Sequence, residues 1–203
     1  MGARNMLART IGAWRRLARD RRGAAAIEFA FIAPVLLSLY FVTMEVAQGI
    51  EANKKIARVA SMTADLLTQQ QTLSKSEVEA IMRIGEAILQ PYNRTKPTIT
   101  VTAITITDEN TPKVKVLWSR RLTNGSFGAG LTKDSITTVP EKLKVRNSFL
   151  MRVESQLNYK PVIVWTAQEK AALGLAAAFD NISMEENYYL RPRMSTSIPC
   201  SDC

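Results

Sequence analysis

From Ala24 to Met44 the chain is apolar almost without interruption, and Glu28 is the only charge in the run. These 21 residues, at a helical rise of about 1.5 Å each, come to about 31 Å, close to the hydrocarbon thickness of a bilayer. The pattern therefore predicts one membrane-spanning helix. Beyond Met44 the pattern changes to a 3.6-residue period: Ile56, Val59, Ala60, Thr63, Leu66 and Leu67 fall on one stripe, with Lys54, Lys55, Arg58 and Asp65 largely off it. No proline interrupts Glu45 to Gln71, and Gly49 is its single glycine. One helix over 24–71 is expected, its outer half packing on a soluble domain.

Ser74 to Glu77 is a capping box, in which the serine oxygen accepts from a first-turn amide and the glutamate reaches back. A second helix is expected from about Lys75 to Gln90, with Val78, Ile81, Met82, Ile84, Ala87 and Ile88 inward and Pro91 ending it. The period then falls to 2. Thr98 to Thr107 alternates threonine with Ile or Val and slips phase at Ala103-Ile104, which predicts a bulge. A turn at 108–112 leads to a second alternating run through Val114, Val116 and Trp118. Leu122 to Asn147, rich in Gly, Thr and charge, reads as a long loop. Ser148 to Lys160 is the clearest strand, Phe149, Met151, Val153, Leu157 and Tyr159 alternating with polar residues. A second capping-box pattern at Thr166 to Glu169 opens an Ala-rich helix to about Phe179, a last strand fits Ile182 to Arg191, and the tail from Pro192 is irregular. Strands joined by a hairpin and loops suit an antiparallel sheet, and helices must cover its apolar face. The fold class is α+β: a long N-terminal transmembrane helix continuing into a domain over 72–203 with an antiparallel sheet covered by helices.

The net charge of +9 would suggest nucleic acid until its distribution is considered. Residues 1–23 carry seven arginines against Asp20, a surplus of six, and the remaining chain is nearly balanced, with 20 basic and 17 acidic residues. A basic segment beside a hydrophobic span stays cytoplasmic, because arginine crosses a bilayer at high cost and the anionic inner leaflet attracts it. The 150-odd residues after the span then lie outside the cytoplasm. Interspersed Met6, Leu7, Ile11, Trp14 and Leu17 suit the head to lie along the membrane surface; it could equally be a leader that is removed.

The chain has no histidine, which excludes a His-dependent triad, a Cys-His pair and any imidazole metal site. Glu185 and Glu186 are adjacent in a strand and face opposite ways, so they form no proton-sharing dyad. The run Gly125 to Gly130 lacks the Lys-Ser/Thr and the following helix of a phosphate loop, and is read as flexible loop. Cys200 and Cys203 form a C-terminal Cys-x-x-Cys, for which a small local disulfide is the expected state. A thioredoxin-like motif and pairing with another subunit are the alternatives. No catalytic, cofactor or metal residues are assigned, and no small-molecule substrate or nucleic acid is expected.

Glu28 is the exception in this inventory. A carboxylate in hydrocarbon costs on the order of 2.5 to 3.5 kcal/mol, so it needs a partner or proximity to water. Arg21 or Arg22 could supply the partner. A cut after Gly23 would supply another, the new ammonium of Ala24, which could neutralise Glu28 in its own chain or in a neighbouring helix and fix the register between them.

Arg21-Arg22-Gly23-Ala24-Ala25-Ala26-Ile27-Glu28-Phe29, followed by Ala30-Phe31-Ile32-Ala33-Pro34-Val35-Leu36-Leu37, resembles the prepilin-type start of TadE-like minor pseudopilins of the tight adherence (Tad, or Flp-type) pilus system. The resemblance implies a pilin-like architecture, a leader ending at Gly23, cleavage by a prepilin peptidase, and Glu28 as fifth residue of the mature chain. It also implies a role in pilus biogenesis, adherence and biofilm formation at the inner membrane, with other pilins, pseudopilins and the Tad inner-membrane machinery as partners. Phe29 stands where the major pilin of such systems usually has tyrosine. Pro34 matches the family pattern and is expected to free the Ala30 carbonyl and bend the helix. The alternative function is an uncleaved single-pass protein whose periplasmic domain is a binding or scaffold module. A periplasmic hydrolase or redox enzyme would need residues the chain lacks.

Overall fold

The computed structural model describes residues 23–92, 94–161 and 182–203. The basic stretch 1–22 and the Ala-rich helix expected at Thr166 to Phe179 lie outside the described residues. Helix α1 runs Ala24–Thr68, α2 Lys75–Ile88, and the strands are β1 Thr98–Ile106, β2 Val114–Thr123, β3 Ser126–Ala129, β4 Ser148–Tyr159 and β5 Ile182–Leu190. Among the described residues the arrangement is the expected α+β one, a long apolar N-terminal helix followed by a helix and an antiparallel sheet. The chain divides into two compact units between Met44 and Glu45.

In the unit Glu45–Cys203, the strands form one antiparallel sheet in the order β3-β2-β1-β4-β5. Helices cover one face of it. Ala52, Ile56, Val59, Ala60, Ala64 and Leu67, spaced by threes and fours on α1, are fully buried. Val59, Ala60, Ala64 and Leu67 meet Ile99, Val101 and Ala103 of β1, Trp118 and Leu122 of β2, and Met151 and Val153 of β4, while Ala52 and Ile56 meet Leu157 and Tyr159 of β4 and Met184 of β5. Burying an Ile or Leu side chain stabilises by about 1.5 to 3 kcal/mol, so this layer dominates the unit's stability. The capping box opens α2: Ser74 Oγ accepts from the Glu77 amide and Glu77 Oε2 accepts from the Ser74 amide at 2.7 Å. The Ser74 amide and, second, the Ser74 hydroxyl donate to the Glu77 carboxylate and hold it below its ordinary range. Helix α2 buries Val78 and Met82, while Ile84 and Ala87, expected inward, are exposed. Gly85 lets the helices approach: a Cβ there would fall 2.7 Å from Thr63 Oγ1.

The phase slip expected at Ala103-Ile104 is present as a register shift against β2. The extra residue is Leu117 of β2, since β1 pairs with β4 without a shift: ordinary alternation keeps Ala103 under the helices and sets Ile104 and Ile106 on the other face with Val114 and Leu150, while the bulge puts Trp118 and Val114 on opposite faces.

Residues 122–147 depart from the expected loop. Asn124-Gly125 has φ of 53° and 80°, both positive, and Thr123 pairs with Ser126, so a two-residue turn of the primed kind folds β3 back on β2. The chain then follows the edge of β2, where the Val116 amide donates to the Ser135 carbonyl and the Thr137 amide to that of Val114. Val139 and Leu143 next pack on the second face against the Ile104, Ile106, Val114 and Leu150 cluster. Arg152, expected outside, is buried here and donates to Thr137 Oγ1 at 3.1 Å and the Thr138 carbonyl at 3.2 Å.

The tail is irregular but packed. Ile198 is fully buried, its carbonyl accepting from Trp118 Nε1 at 2.8 Å, and the Arg193 amide donates to the Thr68 carbonyl at the end of α1.

Candidate functional site

Most residues that the sequence singles out lie at the start of α1. Gly23 immediately precedes the helix, exposed and with nothing within 4 Å of where a side chain would begin. Ala24 is the first helical residue and position 28 lies one turn on. Glu28 is exposed, flanked by Ile27, Phe29, Phe31 and Ile32. Phe29 and Phe31 are 70% and 75% exposed, and Val35, Leu36, Leu37, Leu39 and Tyr40 continue the uncovered surface. An apolar surface of that extent on a helix fits lipid or a partner's helix rather than water.

Two hydroxyls inside this apolar run are satisfied locally. Ser38 Oγ donates to the Pro34 carbonyl and Thr43 Oγ1 to the Leu39 carbonyl, each at 2.8 Å. Such back-bonding to the preceding turn removes the cost of a free hydroxyl in hydrocarbon. Pro34 lies inside α1, which continues through it to Thr68. Its missing N–H leaves the Ala30 carbonyl without its intrahelical donor.

Glu45, which the sequence reading passes over, is the first charge after Glu28 and opens the folded unit. It is only 3% exposed and accepts a hydrogen bond from Tyr159 Oη at 2.8 Å, at the end of β4. Burial, with the Glu45 hydrogen bond second, pushes the Tyr159 hydroxyl well above the ordinary tyrosine range, so it remains a donor. The pair ties the first turn of this part of α1 to the sheet. The signal available in the sequence was positional: Glu28 and Glu45 bracket a run of 16 uncharged residues, about 24 Å of helix.

Cys200 and Cys203 are joined as a disulfide within the folded unit. Glu185 and Glu186 pair with Gln156 and Ser155 at successive register positions of β5, on opposite faces. Gly125 sits in the β2–β3 turn and Gly128 in β3, so the glycine-rich run is a hairpin rather than a flexible loop or a phosphate cradle. Geometry thus gathers Gly23, Ala24, Glu28, Phe29 and Pro34 on one helical segment suited to insertion and helix packing.

No curated protein and no solved structure matches the chain. Residues 23–65, which begin at Gly23 and carry Glu28, Phe29 and Pro34 along α1, match the model of the family described as TadE-like protein, and over this segment the chain is similar to that family.

Proposed function

We propose that the chain is a minor pseudopilin of tight adherence pilus biogenesis, matured by a prepilin peptidase that cuts after Gly23. In this reading residues 1–23 are a basic cytoplasmic leader and 24–44 span the inner membrane. The folded unit stands in the periplasm and contacts other pilins and the Tad inner-membrane machinery. Its role is structural and non-enzymatic. The family match, which starts at the proposed cut site, supports the assignment.

The observation that carries the reading is Glu28: a lone carboxylate one turn into a helix whose surrounding large side chains are apolar and uncovered. Cleavage would place an ammonium at Ala24 within one turn of that carboxylate, or within reach of the carboxylate of a staggered neighbour. Either pairing offsets the desolvation of two charges at once, and pairing between neighbours also sets axial register.

The test replaces Glu28 by alanine in cells that assemble the pilus. Glu28→Ala raises the hydrophobicity of the span, so membrane insertion is expected to persist while pilus yield falls. Normal piliation with the variant would contradict the assembly role of Glu28.

A further inference from the structure

We infer that the Cys200–Cys203 disulfide is a redox-set clasp that fastens the end of the chain to the start of α2, making the order of this corner of the folded unit depend on an oxidising compartment. Residues 198–203 hold the corner by four contacts. Ile198 is fully buried and its carbonyl accepts from Trp118 Nε1. The Pro199 carbonyl accepts from the Leu73 amide at 3.0 Å, and Cys200 bridges Leu73 in parallel. Asp202 Oδ1 accepts from the Lys75 amide at 2.7 Å. Both cysteines pack against the main core cluster.

The Lys75 contact gives the ring its consequence. Lys75 is the first residue of α2, and its N–H has no partner within the helix. The capping box satisfies the Glu77 amide through Ser74, and Asp202 takes the Lys75 amide. Asp202 lies between the two cysteines, so the ring fixes the direction of its carboxylate, which also places negative charge at the positive end of the helix dipole. A ring this small removes little entropy from the unfolded chain. Its effect is local: it holds an irregular terminus in the one conformation that serves α2.

Closing the clasp is thiol–disulfide exchange. A thiolate of the chain attacks a disulfide oxidant of the dithiol/disulfide class and releases one thiolate of that oxidant. The chain's second thiolate then attacks the mixed disulfide, forming the Cys200–Cys203 bond and releasing the oxidant's second thiolate. The chain loses two electrons and two protons, and the oxidant becomes a dithiol. That this happens after translocation rests on the proposed topology; the coupling of the ring to α2 does not.

Hydrogen exchange on the full chain in detergent, oxidised and then reduced with a phosphine, tests the coupling. Alkylation and mass would establish that two thiols have been freed. Reduction is expected to raise exchange at the Leu73 and Lys75 amides at least about fivefold while the β1 amides of Val101 and Thr102 keep their protection. The Cys200→Ser/Cys203→Ser double variant is expected to match the reduced chain. Unchanged exchange at Leu73 and Lys75, or equal loss of protection in β1, would overturn the local clasp. In cells, alkylation before lysis is expected to leave both cysteines unlabelled in the membrane form. Free thiols there would overturn the redox setting without bearing on cleavage after Gly23.

Discussion

Two carboxylates mark the ends of the apolar part of α1, and their surroundings differ. Glu28 is exposed on the bare helix, whereas Glu45 is buried and takes the hydroxyl proton of Tyr159 in a hydrogen bond. Removing a donor from a buried carboxylate leaves it under-solvated, which costs about 1 to 3 kcal/mol. Tyr159→Phe is therefore expected to lower the stability of the folded unit by about that amount in denaturant titration; an unchanged midpoint would assign the bond no weight. The pH dependence has a definite sign. Because the Tyr159 pKa is raised, its contribution is fully present below the ordinary value of 10.0 and is lost as pH climbs beyond it. The gap between wild type and Tyr159→Phe should narrow in alkali and stay constant from neutrality to about pH 9. Glu28 was legible in the sequence because a charge within hydrocarbon is anomalous by itself. The role of Glu45 was not, because its partner lies 114 residues away and only the folded sheet brings the two together.

Elements with a strong internal period were legible, and those defined by pairing with distant chain were not. The 3.6 period located the outer half of α1, the capping box located α2, and alternation located β1, the register shift at Ala103-Ile104, β2 and β4, although the extra residue of that shift is Leu117 of β2. Strand β3 escaped because four residues are too few to show a period, although the positive-φ Asn124-Gly125 turn beside it is a recognisable hairpin signal. The cover of the second sheet face escaped for a related reason. Val139 and Leu143 are isolated apolar residues in a polar segment, and Arg152 looked like a solvent-facing charge until Thr137 and Thr138 were placed over it. The crossing of α2 on α1 carries its own prediction. Gly85→Ala would gain about 1 kcal/mol of helix propensity, but its Cβ would press on Thr63 Oγ1, on a β-branched side chain that is itself buried. Overpacking costs about 1 to 3 kcal/mol, so net destabilisation is expected in thermal unfolding. A rise in the midpoint would mean that the two helices can separate at little cost.

At the scale of the whole molecule, the family match covers the apolar part of α1 and the first turns of that helix within the folded unit. The TadE-like match ends at residue 65, within α1, and the sheet lies beyond it. Maturation at the start of that helix decides the assignment. Intact mass and N-terminal sequencing of the chain from membranes of cells that assemble the pilus test it most directly. A mature chain beginning at Ala24 is expected, and a full-length product when Gly23→Leu fills the cut site. A chain still carrying Arg4 to Arg22 in piliated cells, or normal processing of Gly23→Leu, would contradict it.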